Sequence, residues 1–356
     1  MARPPRALGQ RGRLLGMSRI LAVVGPTAVG KSEIGLGLAE WLNGEIVSAD
    51  SLQAYRGFDI GTAKPTLEER ALVPHHLIDI LDPQEDFSAG EFARRAGAAM
   101  SEIASRNRLP IVVGGSGFYL RALFDGLSEI PSVRPGVRDD LRRRLDEEGL
   151  EELRSELRSL DPITESRLEP GDAQRVLRAL EVVVSTGRAL SAWHSDVAVA
   201  RPGHDAVRIG LTLERSLLYD RIAHRVHRMI EAGWVGEVEQ LLTRGVTPGD
   251  PAFQAIGYRE LAAHLAGEVS LDEAMETTIR ATRRFAKRQL TWYRKERDID
   301  WFSAEDLDTA GQEIRSFLER QDLGVGDGQV DNQHSGRIPV SGTQGKSAGI
   351  DSTDDR

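Results

Sequence analysis

The sequence predicts an α/β fold, a parallel sheet flanked by helices and interrupted by an all-helical segment. Three observations carry this prediction. Residues 20–32 read ILAVVGPTAVGKS, an apolar strand-like run entering a glycine-bounded loop and then a helix start. Short apolar runs next alternate with helical periodicities as far as residue 125. From about residue 126 to 201 the strand-like runs vanish and charged helical segments replace them.

The spacing in residues 25–32 has a physical reason. Glycines at both ends let the backbone curl until N–H groups point inward around a phosphate chain. The helix that opens there adds the positive end of its dipole. Gly25, Pro26, Thr27, Ala28, Val29, Gly30, Lys31 and Ser32 therefore form the candidate phosphate loop. Lys31 would neutralise phosphate oxygens as a point charge, and the Ser32 hydroxyl would ligate a magnesium ion shared with them. Ile34, Leu38, Trp41 and Leu42 then give a helix with one buried face. The motif specifies phosphate binding and is silent on what happens to the phosphate.

Residues 44–49 form a second strand candidate that delivers Asp50 at its C-terminal end, the edge where open parallel sheets bind ligands. The stretch DSLQAYRGFDIGTAKP is too polar and glycine-punctuated for regular structure, and too long for a mere connection. It reads as a working loop. Residues 75–82 (HHLIDILD) give a third strand and 87–107 a helix. Residues 109–113 give a fourth strand, which ends in Gly114, Gly115, Ser116 and Gly117 at the same edge. This alternation argues for a parallel sheet covered on both faces.

In the helical segment, residues 138–160 mix acids and bases as a solvated face does. Asp172 is placed to cap a helix over 173–185 that Gly187 closes. Gln174, Arg175 and Arg178 share one face of it, with Leu177, Leu180 and Val184 opposite. Residues 207–213 return the chain to the sheet, and a helix over 219–232 repeats Arg221, Arg225 and Arg228. The last strong segment, TTIRATRRFAKRQLTWYRK at 277–295, puts Ile279, Ala286, Leu290 and Tyr293 on an apolar face. Arg280, Arg283, Arg284 and Lys287 line the neighbouring one. On periodicity alone this is solvated surface; its positive excess inside an acidic chain favours contact with a phosphate backbone.

Composition sets the bounds. At 356 residues and 39.1 kDa the chain can bury a sizeable core. It has no cysteine, which excludes disulfides and thiolate metal sites and fits a reducing cytoplasm. No apolar run is long enough to cross a bilayer, and the basic start leads straight into the phosphate loop, unlike a secretory signal. The net charge of −9 argues against a generally basic nucleic-acid binder. Residues 1–19 carry five arginines and no acid, and Met17 offers an alternative start. Residues 1–17 and the Gly-, Ser-, Asp- and Gln-rich stretch 321–356 read as disordered ends. No metal-ligand cluster stands out, and the histidines read as core or loop residues.

The phosphate loop, Asp50 and Ser116 thus converge on one sheet edge, which supplies a phosphate clamp, a proton acceptor and an orienting hydroxyl. Two reactions fit: phosphoryl transfer to a small hydroxyl, or attack on a carbon that expels diphosphate. A third reading is a nucleic-acid-binding NTPase. Against it, the strand over 109–113 ends in glycines and serine where a motor-type NTPase would hold magnesium with an acid.

Beyond the phosphate loop, the succession ADSLQAYRGFDIGTAKP, HHLIDILDP, GGSGFYLRAL, DAQRVLRALEV, QAIGYRE and TRRFAKRQLTWYRK resembles the bacterial tRNA dimethylallyltransferases, also called tRNA isopentenyltransferases. The likeness runs from about residue 20 to 302. It implies a P-loop NTPase-like, nucleotide-kinase-like core over 18–125 and 202–320, with a helical insertion over 126–201 that grips the anticodon loop. The implied reaction moves a dimethylallyl group from dimethylallyl diphosphate to N6 of the adenosine 3′ of the anticodon, with Mg²⁺ required. The phosphate loop, with Thr27, Lys31 and Ser32, would hold the diphosphate, joined by Arg225. Asp50 matches the general base. Ser116 stands where the family usually has threonine and keeps the hydroxyl. The implied tRNA contacts are Asp50, Ser51, Leu52, Gln53, Ser116, Arg138, the run Gln174, Arg175, Val176, Leu177 and Arg178, and the basic face of Arg283, Arg284 and Lys287. The expected partner is a tRNA anticodon stem-loop, with no membrane, and one chain carries the full site as a monomer. Prenylation of free adenine nucleotides, nucleotide kinase chemistry and a regulatory RNA-binding P-loop protein are the alternatives.

Overall fold

The computed structural model describes residues 20–321 and 323, apart from 128, 129, 132, 135, 196–205 and 297. The ends expected to be disordered, 1–17 and all of 321–356 but 321 and 323, lie outside the described residues. The first half of the core runs β1 (Ile20–Val24), α1 (Lys31–Trp41), β2 (Gly44–Ser48), α2 (Leu67–Leu72), β3 (His75–His76), α3 (Ala89–Ser105), β4 (Leu109–Gly114) and α4 (Gly117–Phe124). Five helices follow: α5 (Val137–Glu148), α6 (Leu150–Leu160), α7 (Pro162–Glu165), α8 (Ala173–Thr186) and α9 (Leu190–Ser195). The chain returns through β5 (Ala206–Thr212), α10 (Arg215–Glu231), α11 (Trp234–Thr243), α12 (Tyr258–Leu265), α13 (Leu271–Tyr293), β6 (Asp300–Ser303) and α14 (Leu307–Arg320).

The strands pair in the order β3-β2-β4-β1-β5-β6, every pair parallel. Alternate strand residues point to opposite faces, and both faces are buried. Leu21, Val23, Ile46, Ile111, Val113, Ile209 and Leu211 pack with α1, α10 and α14. Ile20, Ala22, Val24, Val47 and Val112 pack on the other side with α3 and α4. Burial on both faces is why these strands read as unbroken apolar runs.

Register positions the site. Val24 pairs with Gly114, and Val113 with Ser48, so the loops that leave β1, β2 and β4 emerge side by side at one level of the carboxyl edge. β4 lies between the other two.

Three expectations need correction. The third strand is two residues long, because Leu77 and Asp79 adopt left-handed φ of 64° and 55° and turn the chain away. Its remainder runs beside the preceding loop, where the Ile80 and Leu81 N–H groups donate to the Ala54 carbonyl and Tyr55 bridges to Leu81. β6 was not expected among the helices after residue 202; its four residues form an exposed edge without a long apolar signal. On α8, Val184 faces outward at 37% exposure, and the buried side is Val176, Ala179, Leu180 and Val183. The predicted ends of α8 hold: the Asp172 carboxylate accepts the Arg175 N–H at 3.2 Å, and Gly187 closes the helix at φ 71°. Leu141, Leu153, Leu157, Val176, Ala179 and Leu180 form a separate apolar cluster among α5, α6 and α8.

Candidate active site

The phosphate loop joins β1 to α1. Gly30 caps α1 at φ 106°, in the left-handed region that favours glycine, and Ala28 beside it is also left-handed at 64°. These turns aim the first-turn N–H groups of α1, which have no intrahelical partners, at open space. The Val29 side chain is fully buried in the core, so this residue can serve a phosphate only through its backbone. The Lys31 ammonium donates to the Pro26 carbonyl at 2.6 Å. Arg221 donates to the carbonyls of Val29 and Ala304, tying the loop to the chain after β6.

Asp50 stands two residues past Ser48, the end of β2, after the buried Ala49. Its carboxylate accepts the Leu52 N–H at 2.9 Å, a tight turn that leaves its other oxygen clear of the backbone. Ser116 caps α4 with no side-chain capping bond, so its hydroxyl is not spent on the helix. Both line one cavity of about 1770 Å³ together with Thr27, Ala28, Gly30, Lys31, Ser32 and Arg225. The expected convergence is therefore present.

Charge inside this cavity is coupled. Burial and the like charge of Arg225 push Lys31 down to about 7, while Asp50 opposes them. Burial also lowers Arg225 from its usual value, again against the pull of Asp50. Burial disfavours the charged forms of both Lys31 and Arg225, and an anion arriving beside them would favour those forms.

The working loop after Asp50 is held rigidly, by residues the sequence did not single out. The Glu237 carboxylate on α11 accepts the N–H groups of Asp59, Ile60 and Gly61 and the Tyr258 hydroxyl. Lys64, whose side chain is 1% exposed, donates to the Tyr55 carbonyl and to Asp59 and Asp79. Gln53 accepts from Ser48 and donates to the carbonyls of Thr62 and Ala63, so its side chain staples this loop. Ser51, Leu52 and Gln53 also line the cavity.

The remaining predicted residues lie outside the cavity lining. Gln174, Arg175 and Arg178 turn outward on α8, and Leu177 is half-buried. Val176 is fully enclosed among the helices, so a contact of this residue with RNA would run through its backbone. Arg138 binds Asp86 at 2.7 Å and Glu181 at 3.1 Å. On α13, Arg284 and Lys287 are exposed. Arg283 is half-buried instead, donating to the Tyr219 carbonyl with its guanidinium over the Tyr219 ring, so it is a packing residue and not part of a free basic face. The side of α13 that reaches the cavity carries Arg288, the end of the expected basic face, together with Phe285, Gln289 and Trp292, which the sequence did not single out. Gln289 is hidden in the sequence because it directly follows the basic pair Lys287 and Arg288, and its helical phase is the sole signal.

A family model described as IPP transferase matches residues 53–296. The chain is 48% identical over 283 residues to tRNA dimethylallyltransferase 2 of Geotalea uraniireducens, covering 80% of this chain and 91% of that protein. It is likewise 48% identical to the tRNA dimethylallyltransferase of Geobacter metallireducens, over 80% of this chain and 92% of that one. Among solved structures, the full-length tRNA isopentenylpyrophosphate transferase of Bacillus halodurans superposes with a TM-score of 0.64 at 41% identity, covering 86% of this chain and 98% of that chain. A eukaryotic dimethylallyltransferase acting on tRNA superposes with a TM-score of 0.73 at 28% identity, over 86% and 80%.

Proposed function

Because the chain belongs to the IPP transferase family, we propose that it transfers a dimethylallyl group from dimethylallyl diphosphate to N6 of the tRNA adenosine 3′ of the anticodon, releasing diphosphate. The observation that carries the reading is the single cavity onto which the phosphate loop, Asp50, Ser116 and Arg225 all open.

In this mechanism the N6 nitrogen attacks the allylic carbon, the bond from that carbon to the diphosphate oxygen breaks, and Asp50 accepts the N6 proton. Lys31, Arg225 and the N–H groups of the loop neutralise charge as it develops on the leaving diphosphate. Ser116 orients the amine. The base must leave its stack to reach Asp50. Segment 126–201 then grips the anticodon loop through Arg138, Gln174, Arg175 and Arg178, with Ser51, Leu52 and Gln53 nearer the target. Arg284 and Lys287 meet the RNA backbone.

The donor set fits magnesium. The Ser32 hydroxyl is exposed in the cavity, and no group of three or more acidic or histidine ligands occurs among the described residues. An ion that keeps most of its water and needs one protein oxygen beside diphosphate oxygens suits such a site. Bound there by Ser32, it would supply further charge neutralisation of the leaving group. Among the described residues no helix is long and apolar enough to cross a membrane. We place the protein in the cytoplasm as a monomer.

The test is incubation with isotope-labelled dimethylallyl diphosphate and total tRNA, followed by nucleoside mass spectrometry. Label on the adenosine 3′ of the anticodon is expected. Label confined to free adenine nucleotides, or phosphoryl transfer from ATP to small acceptors in a parallel reaction, would overturn the reading.

A further inference from the structure

Gln289 directly follows Lys287 and Arg288 on α13, yet it is only 7% exposed. Both ends of its amide are used. Oε1 accepts the Thr27 N–H at 2.8 Å, and Nε2 donates to the Gly115 carbonyl at 2.8 Å. One side chain thus spans the two loops that leave the adjacent strands β1 and β4. It joins the diphosphate half of the cavity to the Ser116 half.

The fit has no slack. A Cβ on Gly115 would lie 2.4 Å from Gln289 Nε2, so the glycine is what admits the amide. The contact also removes the Thr27 N–H from the phosphate-binding set. A hydrogen-bonded side chain at such a junction fixes distance between groups that must react, and misplacement by about 1 Å costs about a hundredfold in rate.

From this geometry we propose that Gln289 is a positioning residue, which holds the phosphate loop in register with the Ser116 turn so that leaving group and incoming amine are aligned. The inference rests on the proposed prenyl transfer and deepens it. Gln289 itself touches neither reactant.

The experiment measures single-turnover prenylation by the full chain, together with binding of inorganic diphosphate and of tRNA. Gln289→Met keeps the volume and loses both hydrogen bonds. Its rate should fall about ten- to a hundredfold, with both affinities within about threefold and unfolding still cooperative. Gln289→Glu should behave differently with pH. Ionised, it sets a second acceptor against the Gly115 carbonyl; protonated, it donates there again, and burial raises the pKa of such an acid. Its rate relative to wild type should therefore climb as pH falls, while that of Gln289→Met stays flat. Wild-type rate in Gln289→Met, a loss explained wholly by weaker binding, or a flat ratio for Gln289→Glu would each overturn the inference. Should Gln289→Met not fold, the pH trend of Gln289→Glu decides. An inactive wild type overturns the functional reading and this inference with it; an active wild type beside any of those outcomes overturns this inference alone.

Discussion

The Lys31 ammonium donates to the Pro26 carbonyl at 2.6 Å, so the cation of the phosphate loop folds back onto the loop that carries it. Burial and the charge of Arg225 hold it near 7, below its free value of 10.5. Between those two values the unfolded chain binds more protons than the folded one. This group's contribution to stability therefore rises with pH across that window and is least favourable below it.

An arriving diphosphate reverses the balance, because a nearby anion favours the charged ammonium. At about pH 8, binding of inorganic diphosphate should take up a fraction of a proton. Titration calorimetry in two buffers of different ionisation enthalpy reads this directly. Lys31→Ala should abolish the uptake and weaken binding, whereas equal heats in both buffers would show Lys31 already charged.

Asp50→Asn keeps shape and removes the proton acceptor. Single-turnover rates should fall by about two to four orders of magnitude with tRNA affinity little changed. A near wild-type rate would remove Asp50 from the role of base.

The basic side of α13 divides into two kinds of residue. Arg284→Ala with Lys287→Ala should weaken tRNA binding and make its dependence on salt shallower by about one to two in slope. Arg283→Ala should instead cost about 1 kcal/mol of stability, since it removes a carbonyl hydrogen bond and a ring contact. Salt titrations of binding and denaturant midpoints separate the two. A full salt slope in the double variant would return Arg284 and Lys287 to plain solvated surface.

Glu237→Gln replaces an acceptor-only group by one whose NH₂ must face backbone donors. The three N–H groups of Asp59, Ile60 and Gly61 cannot all be satisfied, and a loss of about 1–3 kcal/mol is expected. Faster amide exchange across 59–64 should accompany it. Unchanged protection there would mean that Lys64 and Gln53 secure the loop without Glu237.

The sheet and the chemistry at its edge were legible in the sequence because short local patterns encode them. The run before Gly25 is a strand buried on both faces, and Asp50 and Ser116 each stand two residues past the end of a strand. What the sequence hid are contacts between distant positions. Nothing near Gln289 announces a partner at Thr27, 262 residues away, and nothing near Glu237 announces Ile60. Arg283 and Arg284 are the same residue type one step apart, yet α10 covers one and leaves the other free. The third strand failed for a local reason: alternation in HHLIDILD suits a strand, but left-handed turns at Leu77 and Asp79 were not readable from side chains that rarely adopt them.

The loops bearing Lys31, Asp50 and Ser116 all come from the first third of the chain, whereas the helix that bridges two of them, α13, begins only at Leu271. Synthesis order therefore matters. A nascent chain still on the ribosome exposes the reactive groups long before the helix that aligns them has been made, so competence arrives late and all at once.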